Sequence, residues 1–403
     1  MLKIEGSLKN ILIITVCMTT IIGCSSQDAS LTPTIQVSGI TQSPTLLAIS
    51  SPTATEEVNL TSISQHFTEV NAPQLLIFNI LDTLNGWGAT EDKLVITNNG
   101  GTSWFDITPP GVTRLGYSSS VFFIDPLNGW VVIPADNFQD GTIAITTDGG
   151  QNWELLPVPF GGGDINFIDP SLGFILVGRG AAAGSSAVDI YSTNDGGHNW
   201  TAVYEMQAGM GDDVNSLPFS GQKSGLGVLD SMNLWVGGSI PMEGFVYLYA
   251  SQNGGADWVK QNIVLPEGYA STMTVVLPPR FFDDSNGILP IRSYGTNTVY
   301  IFYHTSDGGV NWSPLEPLLS TGEICLVSPS DFIVWDGGPS LLSSHDGGLS
   351  WSSIATNVDV REILAKVDFV DANTGWMLTA DASDHHLFYT TLDGGATWNP
   401  LIP

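Results

Sequence analysis

From Gln74 onward the chain is a succession of short apolar runs broken by Gly, Asn, Asp and Pro, and none of the runs repeats its apolar positions every 3.6 residues. β-branched and aromatic residues dominate the runs, which is the composition of strands bounded by tight turns. In one stretch the runs are Val121–Ile124, Gly129–Ile133, Thr142–Thr146 and Trp153–Pro157. They predict four short strands, A to D in chain order, and almost no helix.

The turns recur in a fixed order. Seven copies of Ser/Thr-x-Asp/Asn-Gly-Gly-x-x-Trp start at Thr97, Thr146, Thr193, Ser251, Thr305, Ser344 and Thr391, between 39 (Thr305 to Ser344) and 58 residues (Thr193 to Ser251) apart. Their third positions are Asn99, Asp148, Asp195, Asn253, Asp307, Asp346 and Asp393, and their tryptophans are Trp104, Trp153, Trp200, Trp258, Trp312, Trp351 and Trp398. A second signature precedes each copy: an Asp, a polar turn, Gly, and a large apolar residue, with the Trp lost in the fifth, both Asp and Trp lost in the sixth, and Leu234 and Phe332 in the Gly position of the fourth and sixth. The pairs are Asp82/Trp87, Asp125/Trp130, Asp169/Phe174, Asp230/Trp235, Asp283/Ile288, Ser328/Ile333 and Asp371/Trp376. A repeat of this size means one supersecondary unit per copy.

The residue types suit hairpins. Asp or Asn before Gly-Gly accepts positive φ, and its side-chain oxygen takes backbone N–H groups a few residues on. The Trp adds apolar area, so each motif reads as a self-contained staple of its own unit. Four antiparallel strands repeated seven times predict a closed propeller rather than an open solenoid. The expected fold is all-β: a seven-bladed β-propeller of four-stranded antiparallel blades over residues 66–403, preceded by a lipoprotein signal and a disordered linker. No swapped strand is evident to lock the ring, and Ile63–Val70 is the segment available for a closing strand.

The first residues read as a processing signal. Lys3 and Lys9 precede the apolar run Ile11–Ile22, which is too short to span a bilayer comfortably. The run ends Ile21-Ile22-Gly23-Cys24, a pattern resembling a bacterial lipobox, so residues 1–23 are expected to be removed and Cys24 lipidated. Two acyl chains on that thiol suffice for stable anchoring. Residues 24–65 are rich in Ser, Thr and Pro and read as a flexible tether. The expected location is extracytoplasmic, on the bacterial cell membrane.

Charge narrows the partners. The chain carries 40 acidic against 11 basic residues, a net charge of −29. Loss of Lys3, Lys9 and Glu5 with the signal takes that to −30. Such a balance argues against nucleic acid and anionic lipid as ligands of a basic face. Of the three cysteines, Cys17 lies in the signal and Cys24 at the lipidation site, leaving Cys325 as a buried thiol with no disulfide partner.

The seven motifs identify the chain as similar to Asp-box, or bacterial neuraminidase repeat, propellers over residues 74–403. The full unit, with Phe-x-Asp-x-x-x-Gly-Trp before Thr-x-Asp-Gly-Gly-x-x-Trp, most resembles the photosystem II stability/assembly factor family. That resemblance implies a seven-bladed propeller and, from the photosynthetic members, an assembly chaperone rather than an enzyme. Sialidases, xyloglucanases and sortilin-type receptors also carry Asp-boxes, so the box speaks for fold more than for activity.

Strand direction alternates, which puts A–B and C–D turns on one face and B–C loops and D–A connections on the other. The motif carboxylates read as turn formers, a role that Asn99 and Asn253 also fill. The opposite face holds the long connections Ala202–Lys223 and Ile263–Pro279, and its candidate binding residues are Asp136, Arg179, Asp212, Asp213, Tyr269, Arg280, Arg292, Tyr294, His385 and His386. Arg114 and Arg361 are each read as entering an A strand and pointing to the central channel. No catalytic residue, cofactor or metal is assigned. Asp381, Asp384, His385 and His386 form an acid-and-histidine cluster, but adjacent histidines on an extended chain point apart. A sialidase's Arg-Ile-Pro motif is absent, since Arg292 stands in Leu-Pro-Ile-Arg-Ser-Tyr-Gly. Asp136, Asp212 and Asp213 are the carboxylates available to a glucanase pair. The sequence thus favours a monomeric, non-catalytic scaffold for an exported or membrane protein, with a glycoside hydrolase or carbohydrate-binding propeller as the alternative.

Overall fold

The computed structural model describes residues 67–401, apart from 117–119, 137, 183, 207–214, 362 and 382–384. The signal, Cys24 and the linker lie outside these residues, as do Asp212, Asp213 and Asp384. Every regular element among the described residues is a strand. The stretch expected as four strands forms Ser120–Phe123, Gly129–Pro134, Gly141–Thr146 and Glu154–Val158, each end within one residue of its expected place. These strands pair antiparallel, neighbour with neighbour. Five such four-stranded sheets recur, beside one ten-stranded sheet made of two meanders joined through the single pair Ser239 and Val275. Multiple four-stranded antiparallel meanders are the building units of a β-propeller.

The inner strands of the sheets are buried, as in Ser120–Phe123, Gly86–Ala89 and Leu94–Thr97, whereas D strands such as Val259–Lys260 and Ser313–Pro314 are exposed. A strands of neighbouring sheets abut one another, and the first sheet's Ile77–Ile80 lies beside the last sheet's Leu364–Phe369.

Each Gly-Gly turn is closed by side-chain oxygens. Thr146 Oγ1 donates to Asp148 Oδ1 at 2.9 Å and accepts from Gly150 N–H at 2.8 Å, and Asp148 Oδ1 accepts the Asn152 N–H at 2.9 Å. Gly149 and Gly150 sit at φ of 72° and 87°, a region that only glycine adopts freely. The Gly149 N–H also reaches the Leu127 carbonyl of the preceding A–B turn, and the same bond recurs from Gly100, Gly196, Gly254, Gly308, Gly347 and Gly394. Both signature turns of each unit therefore lie at one end of the sheet.

The indoles do more than the sequence reading expected. Trp153 donates from Nε1 to the Ile107 carbonyl of the preceding sheet, at 2.9 Å, and packs in a cluster with Trp87 and Phe105. Trp104 packs with Phe78 of its own sheet and with Leu378 and Phe388 of the last. Every motif tryptophan falls in a cluster shared with the preceding sheet. Trp200 and Trp258 also close on their own turns, donating from Nε1 to the Gly197 and Gly255 carbonyls at 3.0 and 2.8 Å, so the staple holds its own unit and, because a four-stranded meander has two apolar faces, bridges to the preceding one as well.

Two further departures have backbone causes. The fifth unit's A strand is split into Met273–Val276 and Arg280–Phe281, because Pro278 and Pro279 between them have no N–H for the ladder. The Glu69–Phe105 bridge, with Val70 N–H to Trp104 O at 2.8 Å, puts residues 68–70 on the first sheet's own outer edge, not on the last sheet.

Candidate functional site

Opposite the signature turns, hairpin tips and D–A connections surround an open groove of about 1270 Å³. Its walls come from residues 70–76, from the tip Thr90–Lys93, from the connection 111–116, and from the second sheet's hairpin around Pro134–Asp136 and Phe138. His386 closes it from the last sheet. Of the residues singled out from sequence, the groove brings together Arg114, Asp136 and His386.

The walls are shaped by local hydrogen bonds. Thr90 Oγ1 accepts the Lys93 N–H at 2.9 Å and forms the first tip. Lys93 Nζ donates to Asp106 Oδ2 at 2.5 Å, and Thr108 Oγ1 donates to Asp106 Oδ1 at 2.6 Å. Burial pushes the Asp106 carboxyl up, but these two bonds, with the Thr108 N–H and the Lys93 charge, outweigh it and hold the group below the usual range. The Lys93 charge is thereby matched, and Glu91, Asp92 and Asp136 face the groove with Arg114. The second hairpin places Phe138 at φ 56°, a left-handed conformation unusual for a bulky residue, with 75% of its surface exposed. Gly161 makes this possible, since a Cβ there would stand 2.6 Å from the Phe138 carbonyl oxygen.

The other sequence candidates are scattered. Arg179, Arg292 and Tyr294 are not in loops but on strands, because the third and fifth hairpins extend as Gly173–Ala182 with Ser185–Thr193 and Gly287–Tyr294 with Thr298–Thr305. Arg179 pairs with buried Asp189 at 2.8 Å, yet burial still pushes that carboxyl up. Arg292 donates to Tyr300 Oη and, at 3.1 Å, to the Gly322 carbonyl, with its guanidinium 4.8 Å from the Tyr300 ring centre. Burial pushes the Tyr300 phenol up to about 12. Tyr269 is half-buried in a core cluster. Arg280 pairs with Ile288 beside the A–B turn, at the opposite end from the groove. Neither Arg114 nor Arg361 enters an A strand: those strands begin at Ser120 and Leu364, and Arg361 pairs with Asp359 on the surface. His385 is exposed and meets Asp381 at 3.2 Å, whereas His386 is 7% exposed, so the two rings diverge. Among the described residues no group of three His, Cys, Asp or Glu is placed to hold a metal ion.

The polar groups that sequence reasoning passed over are those on the A strands. Asp164 Oδ2 accepts the Leu226 N–H of the next A strand at 2.9 Å. Asp368 Oδ2 accepts the Ile80 N–H at 3.2 Å, and Lys366 Nζ donates to the Phe78 carbonyl at 2.6 Å, joining last sheet to first. Buried Lys223 donates to the carbonyls of Ser186 and Pro218, both at 2.7 Å. The signal was present: a charged residue inside an otherwise apolar strand, as in Asp164-Ile-Asn-Phe and Lys366-Val-Asp-Phe, needs a buried partner.

No protein-family model matches the chain. It is 25% identical over 269 residues to the photosystem II assembly lipoprotein Ycf48 of Synechococcus sp. (strain CC9902), a match spanning 64% of this chain and 68% of that protein. Among solved structures, Ycf48 bound to D1 peptide aligns with a TM-score of 0.51 at 20% identity, over 81% of this chain and 97% of that one. A polysaccharide lyase, the PL25 ulvan lyase bound to -[GlcA(1-4)Rha3S]-, aligns with a TM-score of 0.50 at 13% identity, over 83% and 95%. The chain is a β-propeller similar in sequence to a photosystem II assembly lipoprotein.

Proposed function

We propose that this protein is a membrane-anchored, extracytoplasmic scaffold: a ring of seven Asp-box blades that binds an exported or membrane protein in the loop-face groove and catalyses no reaction. The observation that carries the reading is the sequence similarity to an assembly lipoprotein over two thirds of that protein's length. The open groove supports it, since walls from three sheets offer an extended polypeptide many contacts at once. Ring closure is supported by the Asp368, Lys366 and Trp104 contacts between last and first sheets. Anchoring rests on the Ile21-Ile22-Gly23-Cys24 pattern, with the Ser/Thr/Pro-rich segment as stalk. The domain acts as a monomer and needs no cofactor.

The test is photo-crosslinking in the native membrane from a reactive residue placed at Arg114. The expected result is one defined membrane or exported protein, lost when the label is moved to Arg280 at the other end of the sheets. Polysaccharide cleavage by the purified chain, abolished by Asp136→Asn, would replace the scaffold with a carbohydrate-active enzyme. Metabolic labelling with a fatty acid checks the anchor, and Cys24→Ser is expected to abolish incorporation.

A further inference from the structure

The groove's charge and its one strained aromatic bear on which kind of polypeptide it takes. Resting on the scaffold reading, we infer that the occupant is a segment that is both basic and apolar, anchored on Phe138. Three carboxylates, Glu91, Asp92 and Asp136, stand on the groove wall against one guanidinium, Arg114, and the Lys93 ammonium is matched by Asp106, so the wall keeps an acidic excess. The whole molecule, at a net charge of −29, adds a long-range attraction for cations and repels acidic chains. An acidic peptide or an anionic glycan meets the wrong sign here.

Phe138 supplies the apolar half. A bulky side chain at positive φ stores backbone strain, and such strain persists only where the surroundings enforce it. The Ala135 carbonyl accepts the Phe138 N–H at 2.9 Å, the Asp140 carbonyl accepts the Ala135 N–H at 3.0 Å, and Gly161 leaves room for the backbone. The ring is three-quarters exposed, and half-buried Ile133 and Leu115 line the same groove. An exposed aromatic on a tightly bonded turn, sharing a groove with apolar and charged residues, is the composition of a binding hot spot.

The test uses the full chain and three labelled synthetic peptides of equal length: one alternating Lys and Leu, one alternating Lys and Ser, one alternating Glu and Leu. Fluorescence anisotropy is read at low and high salt. The Lys/Leu peptide is expected to bind most tightly and to weaken with salt. Phe138→Gly, which keeps the left-handed backbone without strain, is expected to weaken it about tenfold, and Phe138→Tyr to restore it. Combined Glu91→Gln, Asp92→Asn and Asp136→Asn is expected to weaken it by a similar factor. Equal binding of the Lys/Ser peptide, or indifference to both sets of substitutions, means diffuse attraction to an acidic surface and overturns the inference. Preference for the Glu/Leu peptide overturns it as well. A partner crosslinked from position 114 with unchanged yield in Phe138→Gly overturns this inference and leaves the scaffold standing, whereas absence of any crosslinked partner removes the scaffold itself.

Discussion

Each Gly-Gly turn is closed by a hydroxyl and an Asp or Asn oxygen, and the chain carries both versions of the second. Asn99 Oδ1 accepts the Ser103 N–H at 2.9 Å, as Asp148 Oδ1 does from Asn152. The acceptor geometry, not the charge, is what closes the turn. Asp148 Oδ2 also accepts from Asn152 Nδ2 at 2.8 Å, so Asp148→Asn is expected to cost about 0.5–1 kcal/mol for that one bond, and Asp148→Ala about 1–2 kcal/mol, in denaturant unfolding. Ser328 makes the same point in the sixth A–B turn, where its Oγ accepts the N–H groups of Ser330 and Asp331 in place of a carboxylate. Gly150 tolerates no such exchange. Its φ is 87°, and an added Cβ would stand 2.7 Å from Ile107 Cβ, so Gly150→Ala is expected to cost about 3 kcal/mol in the same measurement.

Between sheets, polar bonds are as specific as apolar packing. Trp130 Nε1 donates to the Gly196 carbonyl and Trp376 Nε1 to the Gly100 carbonyl, each at 2.8 Å, so an indole on one B strand ties down the turn of the next unit. Trp376 acts where the last sheet meets the first. Trp376→Phe keeps most of the buried ring and removes the donor, leaving the Gly100 carbonyl without it. The expected cost is about 1–2 kcal/mol. Hydrogen exchange is the sharper measurement: Ile77–Ile80 and Leu364–Phe369 should lose protection together, while the second sheet is unaffected. Uniform loss across all sheets would mean that the contact between last and first sheets has no local role.

For the molecule as a whole, two groups of carboxylates set opposite limbs of the pH profile. Hydrogen bonds from Ser350 and Ser344 hold Asp346 at about 2, and similar bonds lower Asp195, Asp307 and Asp393. A carboxyl depressed in the fold stabilises it above the ordinary aspartate value, about 4, and that contribution disappears as pH falls toward about 2. Burial pushes Asp164, Asp189 and Glu323 up. Their charged forms oppose folding at neutral pH, and protonation on mild acidification removes that opposition, as it also lessens the self-repulsion of the acidic chain. The melting temperature is expected to rise from pH 8 to about pH 5 and to fall below about pH 3.5. Asp164→Asn should flatten the neutral side of the profile and leave the acid side unchanged. A monotonic decline from pH 8 downward would contradict this division.

Local chemistry was legible in the residues because it acts over a few positions. Asp or Asn with Gly-Gly dictates a hairpin wherever it occurs, and alternation with β-branched residues dictates the strands beside it. So the all-β class, the four-strand unit and, in the second unit, strand ends within a residue are legible in the sequence, whereas the long third and fifth hairpins are not. The groove was legible only in part: Arg114, Asp136 and His386 were chosen as loop or strand-entry residues, not as neighbours. Phe138 was not chosen at all, since nothing in Asn-Phe-Gln-Asp marks a left-handed phenylalanine until Gly161, far along the chain, is seen to make room for it. Which sheet an indole packs on, whether Arg280 lies at the groove end or the turn end, and what partners Asp368 were decided by tertiary structure alone. Those outcomes depend on pairs such as Asp368 and Ile80 that are 288 residues apart, and a short sequence pattern holds no information on which distant backbone N–H will meet a buried carboxylate.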